Sequence, residues 1–288
     1  MGRLNGILGS GVRRGTALRP IKSFLREYEP SVITDPIRNY GGGVMIALGD
    51  SYTTMGAAYF SAFASAHGLV CDNRGVASST IAGSSINKIG FQPFHERLDS
   101  IITQYQAGHR ITGTTYTAAD VKLVIFMGGA NDWSTVNKEV DRLGKGPQET
   151  NREKLYGALN YIFSTLLSTF VKADIVVILQ PMYPTATVPI FEDAAKNAGF
   201  ENLEQASKIS DVQFACYQMA RKERIILEMA QQYGLSVCDC CFDWHNPVNP
   251  TDREKYWISD GHLSRAGNTD LISALEFTVN NLRFSRSQ

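Results

Sequence analysis

The sequence predicts an α/β domain: a doubly wound, five-stranded parallel sheet with helices on both faces. Three observations carry that prediction. Five short apolar runs of buried-strand length are spread over residues 44–240, helix-length segments separate them, and polar residues able to do chemistry cluster just beyond the runs. Strands covered on both faces read as continuous apolar runs, as a parallel sheet requires.

The first run is "VMIAL", starting at Val44 and followed by Gly49, Asp50 and Ser51. Met55, Tyr59 and Phe63 then recur every four residues as a helical stripe, closed by Gly68. "LVCDN" (69–73) is the second strand. Phe94, Leu98, Ile101 and Tyr105 share one face of a helix near 94–107. "VKLVIFMGG" (121–129) is unbroken and rich in β-branched residues, the clearest strand in the chain. A helix from about Glu149 to Phe170 buries Leu155, Leu159, Ile162 and Leu166. "DIVVILQP" (174–181) is the fourth strand, stopped by Pro181. Residues 181–210 are a long excursion containing Met182, Tyr183, Ile190 and Phe191, suited to a substrate wall or lid but too mixed in polarity for a greasy lipase lid. A helix over Asp211–Tyr233, capped by Gly234, leads into "LSVCDC" (235–240), the fifth strand. Ser264 opens the last helix, which runs to about Leu282.

Residues 1–43 differ from the rest. The first 22 carry five Lys or Arg and no acid, and "RNYGGG" closes the segment. This is read as a basic, Gly-rich N-terminal arm: a targeting sequence, whose amphipathicity the glycines weaken, a tail docking to a partner or a neighbouring subunit, or an extension packed on the domain. The domain proper is expected over 44–288. With 43% hydrophobic and 19% charged residues the chain can build a sizeable core. Formal net charge is zero, so no global field recruits nucleic acid or an anionic membrane. No apolar run is long enough to span a bilayer, and the N-terminus lacks a signal-peptide core. The expected location is therefore cytoplasmic or virion-associated rather than secreted. Five cysteines, Cys71, Cys216, Cys238, Cys240 and Cys241, include a "CDCC" run, but no second Cys or His pair completes a tetrahedral metal set. They are read as buried thiols along a strand in a reducing compartment, with no metal and no cofactor.

In an open parallel sheet, ligands bind beyond the carboxyl ends of the strands. There the sequence places Gly49-Asp50-Ser51 after the first strand, "NRGVASST" (73–80) after the second, "GGANDW" (128–133) after the third, and "SDGHLS" (259–264) after the fifth. A lone Gly-Asp-Ser is a weak signal, and Ser there is also an ordinary helix N-cap. All four motifs in this order are a strong one, and the set resembles the SGNH, or GDSL-type, serine hydrolases over roughly Val44–Leu282. The helix "LYGALNYIFSTLL" is also similar to a subset of that family encoded near phage genes. A flavodoxin-like redox protein shares the strand order, but nothing here specifies a flavin.

The resemblance implies an SGNH-hydrolase fold and a serine esterase acting on small acyl esters, acetyl foremost, of a carbohydrate. Ser51 is then the nucleophile, activated by a base because a serine hydroxyl holds negligible alkoxide at neutral pH. His262 is that base, singled out from His67, His95, His109 and His245 by following the fifth strand, adjoining an acid and preceding a Ser-capped helix. The oxyanion hole combines the Ser51 N–H, the Asn131 amide and a backbone N–H after the second strand. The family's glycine there aligns with Ser78, with Gly75 as the alternative. The family's Asp stands three residues before the His, whereas here Asp260 is two before it. Asp260, Asp243 of "CFDWH", or a backbone carbonyl near Ser259 is left to orient the ring, with Asp260 favoured across Gly261. Asp50, Trp133, Tyr183, Trp244 and Trp257 are expected to line the substrate site, the tryptophans as stacking planes for sugar rings. A lipid or thioester hydrolase with the same machinery, and a non-catalytic carbohydrate-binding or virion-associated module, are the alternatives.

Overall fold

The computed structural model describes residues 37–83, 92–132, 143–180, 211–240, 254–258 and 261–282, with the backbone alone for 211–221. The chain divides at Pro36, and Ile37–Gln288 form one compact unit. The N-terminal segment through residue 36, and within the domain Trp133, the 181–210 excursion, Asp243 and Trp244, lie outside the described residues.

The strands are β1 (Val44–Gly49), β2 (Val70–Gly75), β3 (His109–Ile111), β4 (Thr114–Tyr116), β5 (Val121–Met127), β6 (Asp174–Leu179) and β7 (Ser236–Asp239). Five of them form one parallel sheet in the order β2-β1-β5-β6-β7. The helices are α1 (Ser51–Met55), α2 (Ala57–Ala66), α3 (Phe94–Ala107), α4 (Leu155–Thr169), α5 (Asp211–Gln232) and α6 (Arg265–Asn280).

Alternation along each strand sorts the core into two layers. Val44, Ile46 and Leu48 of β1, with Val124 and Phe126 of β5, pack under α3, α4 and α5. Met45 and Ala47, with Leu123, Ile125 and Met127, face α2 and α6. A register irregularity at Val44/Met45 lets Val121 and Leu123 point to opposite layers although they are two residues apart. The stripes expected on α3 (Phe94, Leu98, Ile101, Tyr105) and α4 (Leu155, Leu159, Ile162, Leu166) are all buried.

Four local readings need correction. The stripe after Ser51 is broken at Gly56, which ends α1 and starts α2; Phe60, Phe63 and Ala64 face the core, while Met55 is exposed. His109, in a stretch to which the sequence assigns no element, opens a β3–β4 hairpin whose turn, Thr112-Gly113, holds both residues at positive φ, as a type I′ hairpin turn requires. Helix α4 begins six residues later than expected. The Glu149 carboxylate accepts the Thr150 and Asn151 N–H groups and Asn151 Oδ1 accepts that of Glu153, and such local bonds compete with helix. Finally, residues 37–43 are stitched to the domain. Arg38 donates to Asp174 and to the Leu282 carbonyl, and the Tyr40 hydroxyl donates to Asp174 at 3.0 Å.

Cys238 and Cys240 are buried with their sulfurs 3.5 Å apart, and Cys71 is half-buried; none of the three is in a disulfide. No helix among the described residues is long and apolar enough to cross a membrane.

Candidate active site

Ser51 is the first residue of α1, directly after β1. The turn depends on Gly49: a Cβ there would sit 1.7 Å from Thr53 Oγ1 and 2.8 Å from the Met127 carbonyl oxygen. The neighbouring edge is as tight, since a Cβ on Gly75 would meet the Thr54 backbone nitrogen at 2.5 Å. Close passage of β1, β2 and β5 therefore holds the serine at a helix start, where unpaired N–H groups and the helix dipole favour developing negative charge.

His262 arrives from the far end of the chain. Ile258 N–H donates to the His262 carbonyl at 2.8 Å and Gly261 N–H to the Ile258 carbonyl, making a tight turn with Gly261 at φ +88°. Ser264 caps α6 by accepting the Gly267 N–H. The Tyr52 hydroxyl donates to the Gly261 carbonyl at 2.6 Å, and its ring packs 5.3 Å from the imidazole. The residue after the serine thus locks the loop that carries the histidine. The outcome is a 2.8 Å hydrogen bond between His262 Nε2 and Ser51 Oγ, with the Nδ1 edge turned into the protein. Ser259 and Asp260 lie outside the described residues.

Asn131 is in a short 3-10 turn after β5, and its Nδ2 donates to the Ser79 carbonyl at 3.0 Å. Asp132 beside it is wholly buried and accepts the Ile81 and Ala82 N–H groups at 2.8 and 3.0 Å. Three bonds therefore fasten the loop after β2 to the loop after β5. Within the first of these loops, Gly75 N–H is taken by Asn73 Oδ1, Val76 N–H by the Gly49 carbonyl and Ser79 N–H by the Val76 carbonyl. The N–H groups of Ser78 and Ser51 donate to no group of the described residues. Ser78 holds φ +61°, the left-handed region that favours the glycine with which it aligns.

Two expected lining residues are not at the surface. Asp50 is fully buried: its carboxylate accepts the Tyr52 N–H at 3.0 Å, Gln180 Nε2 at 2.8 Å and the Ala130 N–H, joining the ends of β1, β5 and β6. Burial pushes its pKa up to about 6 against those three donors. Trp257 is 3% exposed and belongs to the core layer under α6, held there by a bridge to Leu263. Its indole offers no stacking face.

Sequence reasoning passed over Arg97, Gln180 and Lys222. Arg97, on α3, is buried and donates to the Gly49 carbonyl, Ser79 Oγ and the Arg74 carbonyl. Lys222, on α5, is fully buried with its ammonium on the Gly129 carbonyl; burial lowers its pKa against the pull of Asp132, Glu223 and Asp50. The available signal was a charge inside an apolar stripe: Arg97 falls three residues after Phe94 and four before Ile101, and Lys222 three and four before Ile225 and Ile226. Among the described residues, no group of three His, Cys, Asp or Glu side chains is placed to hold a metal ion.

No protein-family model matches the chain, and no curated protein matches it in sequence. Solved structures do match. A protein from Lactobacillus plantarum is similar at TM-score 0.60 and 17% identity, over 84% of this chain and 98% of that one. A lipase/acylhydrolase from Enterococcus faecalis is similar at TM-score 0.48 and 12% identity, over 83% and 95%. An acetylxylan esterase from Geobacillus stearothermophilus is similar at TM-score 0.46 and 15% identity, over 88% and 99%.

Proposed function

We propose that this chain, which has the doubly wound fold of the SGNH hydrolases, is a serine ester hydrolase that removes small acyl groups, acetyl foremost, from carbohydrate. The observation that carries the reading is the 2.8 Å hydrogen bond between His262 Nε2 and Ser51 Oγ. A serine that merely caps a helix needs no imidazole, whereas a nucleophilic serine needs a base at this distance. The same bond weighs against a non-catalytic module.

The chemistry follows from the arrangement. Ser51 Oγ attacks the ester carbonyl carbon as His262 Nε2 takes its proton, and the carbonyl π electrons move to oxygen. That oxyanion lies toward the N–H groups of Ser51 and Ser78 and the Asn131 amide. Collapse breaks the carbon–oxygen bond to the alcohol, which leaves with the proton from His262. Water then attacks the acyl-serine with the same imidazole as base, releasing the acid and restoring Ser51. Asp260 orients the ring and stabilises the imidazolium.

The carbohydrate assignment rests on Trp133 and Trp244, which follow strand ends in the sequence, and on the mixed polarity of 181–210. Release of acetate from a panel of acetylated glycans, run beside aryl esters of increasing chain length, tests it. Preference for acetyl glycans supports the reading. Rates that climb with acyl chain length replace it with a lipid or thioester acylhydrolase.

A further inference from the structure

We infer that Arg97 is the positioning residue of the oxyanion hole: its guanidinium ties the segment that leads into Ser51 to the loop that carries Ser78, and Ser79 of that loop in turn holds Asn131. The inference rests on Ser51 being the nucleophile. Arg97 Nη1 donates to the Gly49 carbonyl at 3.1 Å, two residues before Ser51, and to Ser79 Oγ at 3.0 Å, next to Ser78. Nη2 donates to the Arg74 carbonyl, where β2 ends. Ser79 passes the restraint on, since its carbonyl accepts from Asn131 Nδ2 and its hydroxyl donates to the Gln92 carbonyl at 3.1 Å, just before α3.

The three donors come from three different loops, and their spacing is fixed by nothing local to any one of them. A planar fork with donors at fixed angles can span three acceptors at once, which a lysine ammonium on a flexible stem cannot reproduce. The placement is costly: Arg97 is 6% exposed, and burial brings its pKa down to about 10, with Asp50 pulling the other way and Arg74 adding to the fall. It stays charged at neutral pH, and charge-assisted bonds to carbonyls are among the stronger kinds. A guanidinium used only to stabilise the core could be replaced at little cost by apolar packing. One aimed at the Gly49 and Arg74 carbonyls and at Ser79 supplies pre-organisation, where a displacement of about 1 Å costs on the order of 100-fold in rate.

The test compares the wild-type enzyme with Arg97→Lys and Ser79→Ala on an aryl acetate. The readouts are kcat per fluorophosphonate-titrated site, KM, and the inhibition constant of an alkylboronic acid, whose tetrahedral adduct on Ser51 puts an oxygen where the oxyanion forms. For Arg97→Lys, kcat per titrated site falls roughly 10- to 100-fold, KM stays within about twofold, and the boronic acid weakens by the same factor as kcat. Ser79→Ala shows the same pattern with a smaller drop, and decides the matter if Arg97→Lys fails to fold. A lower melting temperature with unchanged kcat per titrated site and unchanged boronate affinity overturns the inference and leaves the esterase reading intact. Wild-type protein that neither hydrolyses nor labels overturns both.

Discussion

Replacing Asp50 with Asn should make the protein more stable above about pH 6 and leave a much smaller difference near pH 4. Asp50 is wholly buried, and its carboxyl is raised from an ordinary 3.8 to about 6 although Tyr52, Ala130 and Gln180 all donate to it. Below the ordinary value both folded and unfolded chains hold the proton, and the residue is indifferent to pH. Between about 4 and about 6 the unfolded chain ionises while the fold resists, so stability falls as pH rises; above about 6 the loss is complete. Two pH decades at about 1.36 kcal/mol each make that loss roughly 3 kcal/mol. In a domain of this size the figure corresponds to a melting-temperature difference of about 6–12 °C. Asn keeps an oxygen for the Tyr52 N–H, and Gln180 can turn its amide to accept from the new NH₂. Acids that do not interact with Asp50 titrate alike in both proteins and cancel in the comparison; buried Asp132, whose charge also raises Asp50, is the one that can respond to the change. Urea unfolding of wild type and Asp50→Asn at about pH 4, 5, 6 and 7 reads the quantity. A stability difference that stays constant over that range refutes the argument, because a fixed offset reflects hydrogen bonding rather than a buried ionisation.

Three further outcomes are expected. Gly49→Ala forces a Cβ into Thr53 and the Met127 carbonyl, and should cost about 3 kcal/mol or more in denaturant unfolding, where a surface glycine would cost under about 1. Asn131→Ala should lose roughly 10²–10³ in kcat with KM little changed, because its amide meets an oxyanion absent from the ground state; steady-state kinetics showing a change only in KM would remove it from the hole. Asp260→Asn should lower kcat at least about 100-fold and Asp243→Asn far less; a nearly silent Asp260→Asn would mean a Ser51–His262 dyad or another acid.

Much of the architecture was legible because a buried parallel strand leaves an unmistakable trace: "VKLVIFM" can hardly be anything else, and β5 occupies Val121–Met127. The β3–β4 hairpin was passed over because its three-residue strands are half exposed and carry no apolar run. The break at Gly56 was hidden because a four-residue spacing continues across it by coincidence. At the site, Ser51 and His262 stood out as motif residues, and the structure brings them into contact across 211 positions of sequence. Arg97 and Lys222 did not, because each acts on carbonyls distant in sequence, and pattern reading pairs residues through side-chain type rather than through backbone acceptors. Trp257 misled for the opposite reason: it follows a strand end in a loop segment, but its bridge to Leu263 holds it in the core layer.

The central claim is that Ser51 is a nucleophile activated by His262. Its most direct measurement is intact-mass analysis after exposure to a fluorophosphonate, on wild type, Ser51→Ala and His262→Ala. The account predicts one adduct per wild-type chain, mapped to Ser51, none on Ser51→Ala, and labelling of His262→Ala slowed by at least about 100-fold, since removal of a general base costs on that order. An unlabelled wild type, an adduct on another residue, or His262→Ala labelled at the wild-type rate would contradict it.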